Sequence, residues 1–341
     1  MKRCLELAAL GLGITYPNPM VGSVIVYKGE IIGEGWHKKA GEAHAEVNAV
    51  NSVVDKSVLK KATIYINLEP CAHYGKTPPC ASLIIKHQIP KVVIGCIDTF
   101  SEVSGKGIAM LKEAGINVKV GVLEKECTES HKRFFTFHQK KRPYIILKWA
   151  ETQDGFIAPI TQEIGKPFWI TCPESKQLVH KWRTEEAAIM VGTNTAEKDN
   201  PALTARLWKG NQPIRIVLDR KLKLKKDLKI FDTSSTTLVF TEIEKETTNS
   251  TEYIKVNFNF LHAELLKVLY QKNIQSVIIE GGKQTLQSFI NLNLWDEARV
   301  FIGETTLING ITCPVINVKP QSKVTFSNDV LTWYYSNKNI D

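Results

Sequence analysis

The residues able to do chemistry in this chain concentrate in two short stretches: His44-Ala45-Glu46, and the string PCAHYGKTPPC that carries Cys71 and Cys80. One imidazole and two thiolates, brought together, make a neutralising tetrahedral zinc site with its fourth position open to water. That is the form of a catalytic centre. Zinc lowers the pKa of water toward neutrality, and a carboxylate that is not itself a ligand, here Glu46, then moves protons between that water and a leaving amine. The reaction class is hydrolytic deamination. The plain alternative is that His44, Cys71 and Cys80 merely fill a core, and for any one of them alone it would win. Glu46 and the two Pro-Cys dipeptides tip the balance toward zinc. A purely structural zinc needs a fourth ligand, and the candidate, Cys96, lies in a run that reads as core strand.

Particular elements must position these groups. The pattern over 43–53 is helical, with His44 and Glu46 near its first turn. Two positions apart on a regular helix point to nearly opposite sides, so one of the pair must use the irregular geometry of the helix start. The β-branched run 63–67 reads as a strand that delivers Glu69-Pro70-Cys71 at its carboxyl end. Pro78 and Pro79 set up a helix from Cys80, whose amino terminus favours a thiolate. Upstream, a short helix at 3–12 ends at Gly11 and Gly13. The turn TYPNPMVG then presents Asn18, whose amide either serves the turn or reads a pyrimidine edge. Strands at 21–27 and 30–35 form a hairpin through Lys28-Gly29. A strand at 92–95, a helix at 107–114 and a strand at 117–120 continue the alternation. A charged helix over 123–139 closes this half, and KKRP at 140–143 is the linker.

The second half restarts with a strand at 144–149, a helix at 174–182 and strands at 188–192, 214–219, 237–241, 277–280 and 298–302. The lysine-rich stretch 221–229, with leucines at alternate places, reads as a solvated hairpin or edge strand. TEIEKETTNSTE reads as a polar loop. Glu280-Gly281-Gly282 lies between a strand and a helix at 283–291, where glycines let the backbone approach a phosphate. No G-x-G-x-x-G fingerprint occurs, so a standard dinucleotide-binding fold is not expected. Strands alternating with helices make both halves α/β. Domains are expected over 1–143 and 144–341.

Bulk properties agree with a two-domain enzyme. At 341 residues and 43% hydrophobic content the chain exceeds what one core usually organises. A formal net charge of +9 suits an anionic partner, either nucleic acid or small phosphates. Seven cysteines give no disulfide framework, and Cys4, Cys127, Cys172 and Cys313 show no ligand spacing. With no apolar signal region at the start and no membrane-length apolar run, a reduced, cytoplasmic setting is expected.

His-x-Glu followed by Pro-Cys-x-x-Cys is the signature of zinc nucleobase deaminases. Here eight residues separate the cysteines rather than two, and the insert carries His73, Tyr74 and Lys76 as substrate-reading candidates. The runs TYPNPMVGSVIV, GEGWHKKAGEAHAE and LEPCAHYGKTPPC resemble the bifunctional deaminase/reductase family of riboflavin biosynthesis. The resemblance continues through KWAETQDGFIA, WRTEEAAIMVGTNTAEKDNPALTAR, PIRIVLDR and VIIEGG, and so covers essentially the whole chain. It implies a cytidine-deaminase-like three-layer domain followed by a dihydrofolate-reductase-like domain. The first would hydrolyse an amine of a diaminopyrimidinone ribosylamino 5′-phosphate, and the second would reduce its ribosyl chain with NADPH. Carried over residue by residue, zinc falls to His44, Cys71 and Cys80, the proton shuttle to Glu46, and substrate contacts to Asn18, His37, His73 and Lys76. In the reductase half, Lys148, Pro167, Arg183, Leu203, Arg206 and Glu280 match substrate positions. Ala150, Trp169, Thr195, Asp199, Arg220 and Gly282, Lys283, Gln284 and Thr285 match cofactor positions. Extra residues lie between Gly155 and Trp169 relative to the family.

Two rival readings differ in class: a deaminase with an idle second domain, and a zinc-stabilised nucleic-acid-binding module. The basic residues are scattered and no aromatic stacking motif accompanies them, which disfavours the second. Homo-oligomerisation through the reductase half is implied by the resemblance.

Overall fold

The computed structural model describes residues 1–72, 78–99 and 104–336. His73, Tyr74, Lys76 and Phe100 lie outside the described residues. The chain divides into two units, Met1–Lys141 and Arg142–Asp341.

The first unit is built from α1 (Lys2–Ala9), β1 (Gly22–Tyr27), β2 (Glu30–Trp36), α2 (Ala45–Ser52), β3 (Thr63–Leu68), α3 (Cys80–Lys86), β4 (Lys91–Cys96), α4 (Lys106–Glu113), β5 (Asn117–Val120), α5 (Glu124–Ser130) and α6 (Lys132–Lys140). Its sheet runs β2-β1-β3-β4-β5. β1 is antiparallel to β2 and β3, and the remaining pairs are parallel. Side chains alternate across a strand, so Ile25 joins a core with Ala49, Ile84 and Leu111, while Val24 packs with Cys4 and Leu7 on the opposite face. The result is three layers. Helix α2 sits directly on β2 because Gly33 and Gly35 leave room for it: a Cβ at Gly35 would lie 2.4 Å from the Ala49 nitrogen.

One element departs from the sequence-based expectation. The single helix over 123–139 is broken at His131, giving α5 and α6. The hydroxyl of Ser130 donates to the Cys127 carbonyl at 2.7 Å and His131 Nδ1 approaches the same oxygen at 2.7 Å, so side chains take an acceptor that the helix ladder would use.

The second unit comprises β6 (Tyr144–Glu151), β7 (Phe156–Ala158), α7 (Pro173–Glu185), β8 (Ala188–Gly192), α8 (Thr193–Asp199), β9 (Ile214–Leu218), β10 (Thr237–Thr241), β11 (Thr251–Lys255), α9 (Leu261–Gln271), β12 (Ser276–Glu280), α10 (Lys283–Asn291), β13 (Glu297–Ile302), β14 (Ile311–Thr312), β15 (Ser322–Phe326) and β16 (Asp329–Tyr335). Its nine-stranded sheet has the order β11-β10-β9-β8-β12-β6-β13-β16-β15. Pairs from β11 to β13 are parallel, and β16 and β15 add an antiparallel edge. Both faces are covered: Ile145, Leu147 and Trp149 of β6 enter one core, and Tyr144 and Ile146 the other. A parallel sheet buried on both sides reads as the near-continuous apolar runs seen in the sequence. Arg142, within the expected linker, is tied into this unit by Nη1 and Nη2 contacts of 2.5 and 2.9 Å to Asp296.

Two expectations here are corrected. Residues 221–229 form turns rather than a hairpin or edge strand. The Asp219 carboxylate accepts the backbone N–H groups of Lys223 and Leu224 at 2.9 and 3.0 Å, and Leu224 is buried, so the leucines anchor a turn. The polar run TEIEKETTNSTE is not wholly loop, because Thr251 and Glu252 open β11. β11 is an edge strand, where polar and charged side chains are expected and mask the strand signal.

Candidate functional site

The irregular helix start demanded by His44 and Glu46 is present. His44 is the N-cap of α2, with extended backbone (φ −70°, ψ 165°), and Glu46 lies inside the first turn. His44 therefore points off the helix end while Glu46, 3% exposed, turns inward. Asn48 fixes the approach, its amide donating to the carbonyls of Trp36 at 2.8 Å and Ala43 at 3.2 Å.

Cys71 follows β3, and Cys80 is the first residue of α3. His44 Nδ1 lies 3.3 Å from Cys80 Sγ and 3.6 Å from Cys71 Sγ, and all three donor atoms fall within 4.8 Å of one another. One imidazole and two sulfurs so arranged fit zinc, with a position left over. The Cys80 backbone N–H donates to Cys71 Sγ at 3.3 Å, giving that sulfur a partner at the start of α3. The hydrogen-bonded Cys80 side chain lowers the Cys71 pKa, and the same contact together with burial raises that of Cys80. Its hydrogen bond to Cys71 raises His44. Burial first, then the negative Cys71, raises Glu46, which is the tuning a proton shuttle needs.

Asn18 and His37 meet beside the candidate zinc donors. Asn18 Nδ2 is 3.0 Å from His37 Nε2, and the His37 ring stands edge-on to His44 with centroids 5.4 Å apart. His37 Nδ1 faces the Ala43 carbonyl at 3.2 Å, and burial lowers its pKa, which favours the neutral ring whose Nε2 can accept from the amide.

The sequence reading missed the groups that brace this site. Asn67, fully buried, accepts from Gly22 N–H at 2.8 Å and donates to the Met20 carbonyl at 3.1 Å, fastening the Asn18 turn to β3. Glu69 accepts the N–H groups of Gly105, Gly107 and Ile108 at 3.0, 2.9 and 3.2 Å, joining the Cys71 loop to the start of α4. The sequence signal for Glu69 was its place between a strand and Pro-Cys. A polar residue inside a β-branched run was the only one for Asn67.

In the second unit the carboxyl ends of the parallel strands open onto a cleft of about 1130 Å³. Of the residues expected there, Lys148, Ala150, Pro167, Trp169, Arg183, Thr195, Asp199, Leu203, Arg206, Glu280, Gly282, Lys283, Gln284 and Thr285 all line it. Lys148 and Glu280 are paired across β6 and β12. Arg183 from α7 donates to Glu280 at 2.9 Å and to the Thr204 carbonyl at 3.1 Å. Burial alone would raise Glu280, yet the Arg183 and Lys148 charges hold it below the usual range, while burial lowers Lys148. Gly281 and Gly282 have φ of 82° and 63°, and a Cβ at Gly281 would sit 2.8 Å from Thr195 Cγ2. Bare backbone is thus required where Thr195 closes on the turn.

Arg220 is the exception. It is exposed, donates to Glu242 at 2.8 Å, lies 5.7 Å from the Phe258 ring centroid and does not line the cleft. Among the lining residues that the sequence did not single out are Lys176, His180 and Gln162. Lys176 and His180 precede Arg183 on α7 at helical spacing, a signal that was available. Gln162 lies in the extra segment before Trp169 and donates to Asp199 at 2.8 Å, for which no local pattern exists.

These two units define a zinc-dependent pyrimidine deaminase joined to a reductase. The description "Cytidine and deoxycytidylate deaminase zinc-binding region" matches residues 1–96, and "RibD C-terminal domain" matches residues 143–331. The riboflavin biosynthesis protein RibD of Aquifex aeolicus is 40% identical over 325 residues, covering 94% of this chain and 90% of that one. That of Bacillus amyloliquefaciens is 40% identical over 92% of this chain and 86% of its own. Among solved structures, a diaminohydroxyphosphoribosylaminopyrimidine deaminase/5-amino-6-(5-phosphoribosylamino)uracil reductase from Thermotoga maritima superposes with a TM-score of 0.90 at 37% identity, covering 98% of this chain and 97% of that one. RibD of Acinetobacter baumannii gives 0.87 at 32% identity, with the same coverage of both chains. The chain belongs to the RibD family of bifunctional deaminase/reductases of riboflavin biosynthesis. The idle-second-domain and nucleic-acid readings gain nothing from these relatives.

Proposed function

We propose that the first unit hydrolyses the amine of 2,5-diamino-6-ribosylamino-4(3H)-pyrimidinone 5′-phosphate and that the second reduces the ribosyl chain of the product to ribityl with NADPH. The observation that carries the first step is the approach of His44, Cys71 and Cys80 to one another beside a buried Glu46. A zinc ion held there supplies the Lewis acid that activates water. Glu46, raised by burial, takes a proton at its carboxylate and delivers it to the departing amine. Asn18 and His37, hydrogen-bonded to one another, orient the pyrimidine; His73 and Lys76 are assigned the same task.

In the second unit Thr195, Asp199 and the start of α10 from Gly282 to Thr285 would hold NADPH, which would supply the hydride. Arg183 and Arg206 hold the substrate's phosphate, Glu280 orients Arg183, and Lys148 faces the reacting end beside Glu280. Arg220, paired with Glu242 and 5.7 Å from the ring of Phe258, which lines the cleft, is assigned to the cofactor at the edge of the cleft. The positive charge is assigned to small phosphates rather than nucleic acid, the setting to the cytoplasm and self-association to the second unit. Among the described residues no helix is long and apolar enough to cross a membrane.

The test is mass spectrometry of products from zinc-loaded protein with the diaminopyrimidinone ribosylamino phosphate. Without NADPH the amine-to-oxo change is expected, and with it two further hydrogens. Deamination alone under both conditions would refute the reductase half, and no change under either would refute the substrate.

A further inference from the structure

α7 presents Lys176, His180 and Arg183 to the cleft, and Arg206 joins them from the loop after α8. Of the three cations, Arg183 has its carboxylate, Glu280 at 2.9 Å. Among the described residues neither Lys176 nor Arg206 has an acidic partner. The Lys176 ammonium rests 3.5 Å from the centroid of the Trp169 ring, which holds it on the cleft wall without neutralising it. Burial and then the Arg206 charge push the Lys176 pKa down, and burial and then Arg183 push Arg206 down. Like charges gathered this way oppose one another until an anion enters between them. His180 adds no charge: burial and then Arg183 press it down to about 4, and its Nδ1 accepts from Leu207 N–H at 3.5 Å.

We propose that Lys176 is a phosphate-binding residue, pairing with Arg206 to select the phosphorylated pyrimidine over its dephosphorylated form. The inference rests on the reading of this cleft as the reductase site. It differs from a bracing role, in which Lys176 only supports Trp169. Held against an indole face, with Arg206 lining the same cleft, the ammonium is a mobile point charge that can turn toward a phosphate oxygen while its stem keeps the Trp169 contact.

The experiment uses full-length, zinc-loaded protein with the substitutions K176M, which keeps the stem, and K176R, which keeps the charge. Inorganic phosphate is the probe, as a competitive inhibitor of NADPH oxidation and as a direct titrant in calorimetry. K176M is expected to raise the KM for the phosphorylated substrate and weaken phosphate binding about tenfold, the usual worth of one charge-assisted contact. The KM for NADPH should stay within about twofold, and K176R should restore phosphate binding. Unchanged phosphate binding in K176M with a raised KM for NADPH would overturn the proposal in favour of bracing. Because calorimetry needs no turnover, the two ideas fail separately. Wild-type protein that binds phosphate through Lys176 but reduces nothing would sink the reductase reading alone.

Discussion

At the scale of single residues, the two carboxylates Glu46 and Glu280 show how burial is turned to opposite ends. Burial and the negative Cys71 raise Glu46, whereas Arg183 and Lys148 overcome burial at Glu280 and keep it ionised. Glu46→Gln is therefore expected to cut deamination by about 10²- to 10⁴-fold, the usual worth of a positioned acid–base. Zinc content by elemental analysis should stay unchanged; loss of the metal would show that Glu46 is a ligand instead. His131 gives a stability prediction. Burial lowers it from the ordinary 6.5 to about 4. Below pH 6.5 the unfolded chain takes up a proton that the native ring refuses, so stability of the first unit falls between about pH 6.5 and 4 and is fully present above that window. The full effect is about 3 kcal/mol. Denaturant melts at pH 7 and pH 5 should show a shallower loss in His131→Gln than in wild type, and equal losses would exclude His131 as the cause.

At the scale of elements, the zinc site depends on three helix starts: α2 after His44, α3 at Cys80, and α4 tied to the Cys71 loop through Glu69. The last depends on a close approach. A Cβ at Gly107 would lie 2.0 Å from the Pro70 carbonyl oxygen, which no rotamer change relieves because the obstacle is backbone. Gly107→Ala is expected to destabilise the first unit by roughly 1–3 kcal/mol and to weaken zinc retention, since Pro70 carries Cys71. Thermal unfolding with parallel chelator competition checks both. A variant that melts and retains zinc like wild type would mean that α4 shifts freely. The cleft of the second unit is likewise an assembly of element ends, with Lys148 from β6, Arg183 from α7 and Glu280 from β12.

For the molecule as a whole, two units with separate cores carry two chemistries that differ in what they need from outside. Removing zinc with a chelator is expected to abolish deamination and leave NADPH-dependent reduction of the deaminated substrate intact, followed as NADPH absorbance. Loss of both would mean that the metal supports the second unit as well. The sequence by itself singled out His44, Cys71, Cys80 and Glu46 as a candidate zinc site, and determined most strands and the α/β class of both halves, because ligand types, proline spacing and β-branched runs are local signals. It misread 221–229 and merged α5 with α6, where Asp219, Ser130 and His131 redirect backbone hydrogen bonds. Only the tertiary structure decided that His44 caps its helix while Glu46 turns inward, that Glu69 clamps α4, and that Arg220 turns to Glu242 while Lys176 joins Arg206 in the cleft. Those outcomes follow from which strands become neighbours, and that order is set by burial between segments far apart in the chain, which no local spacing encodes.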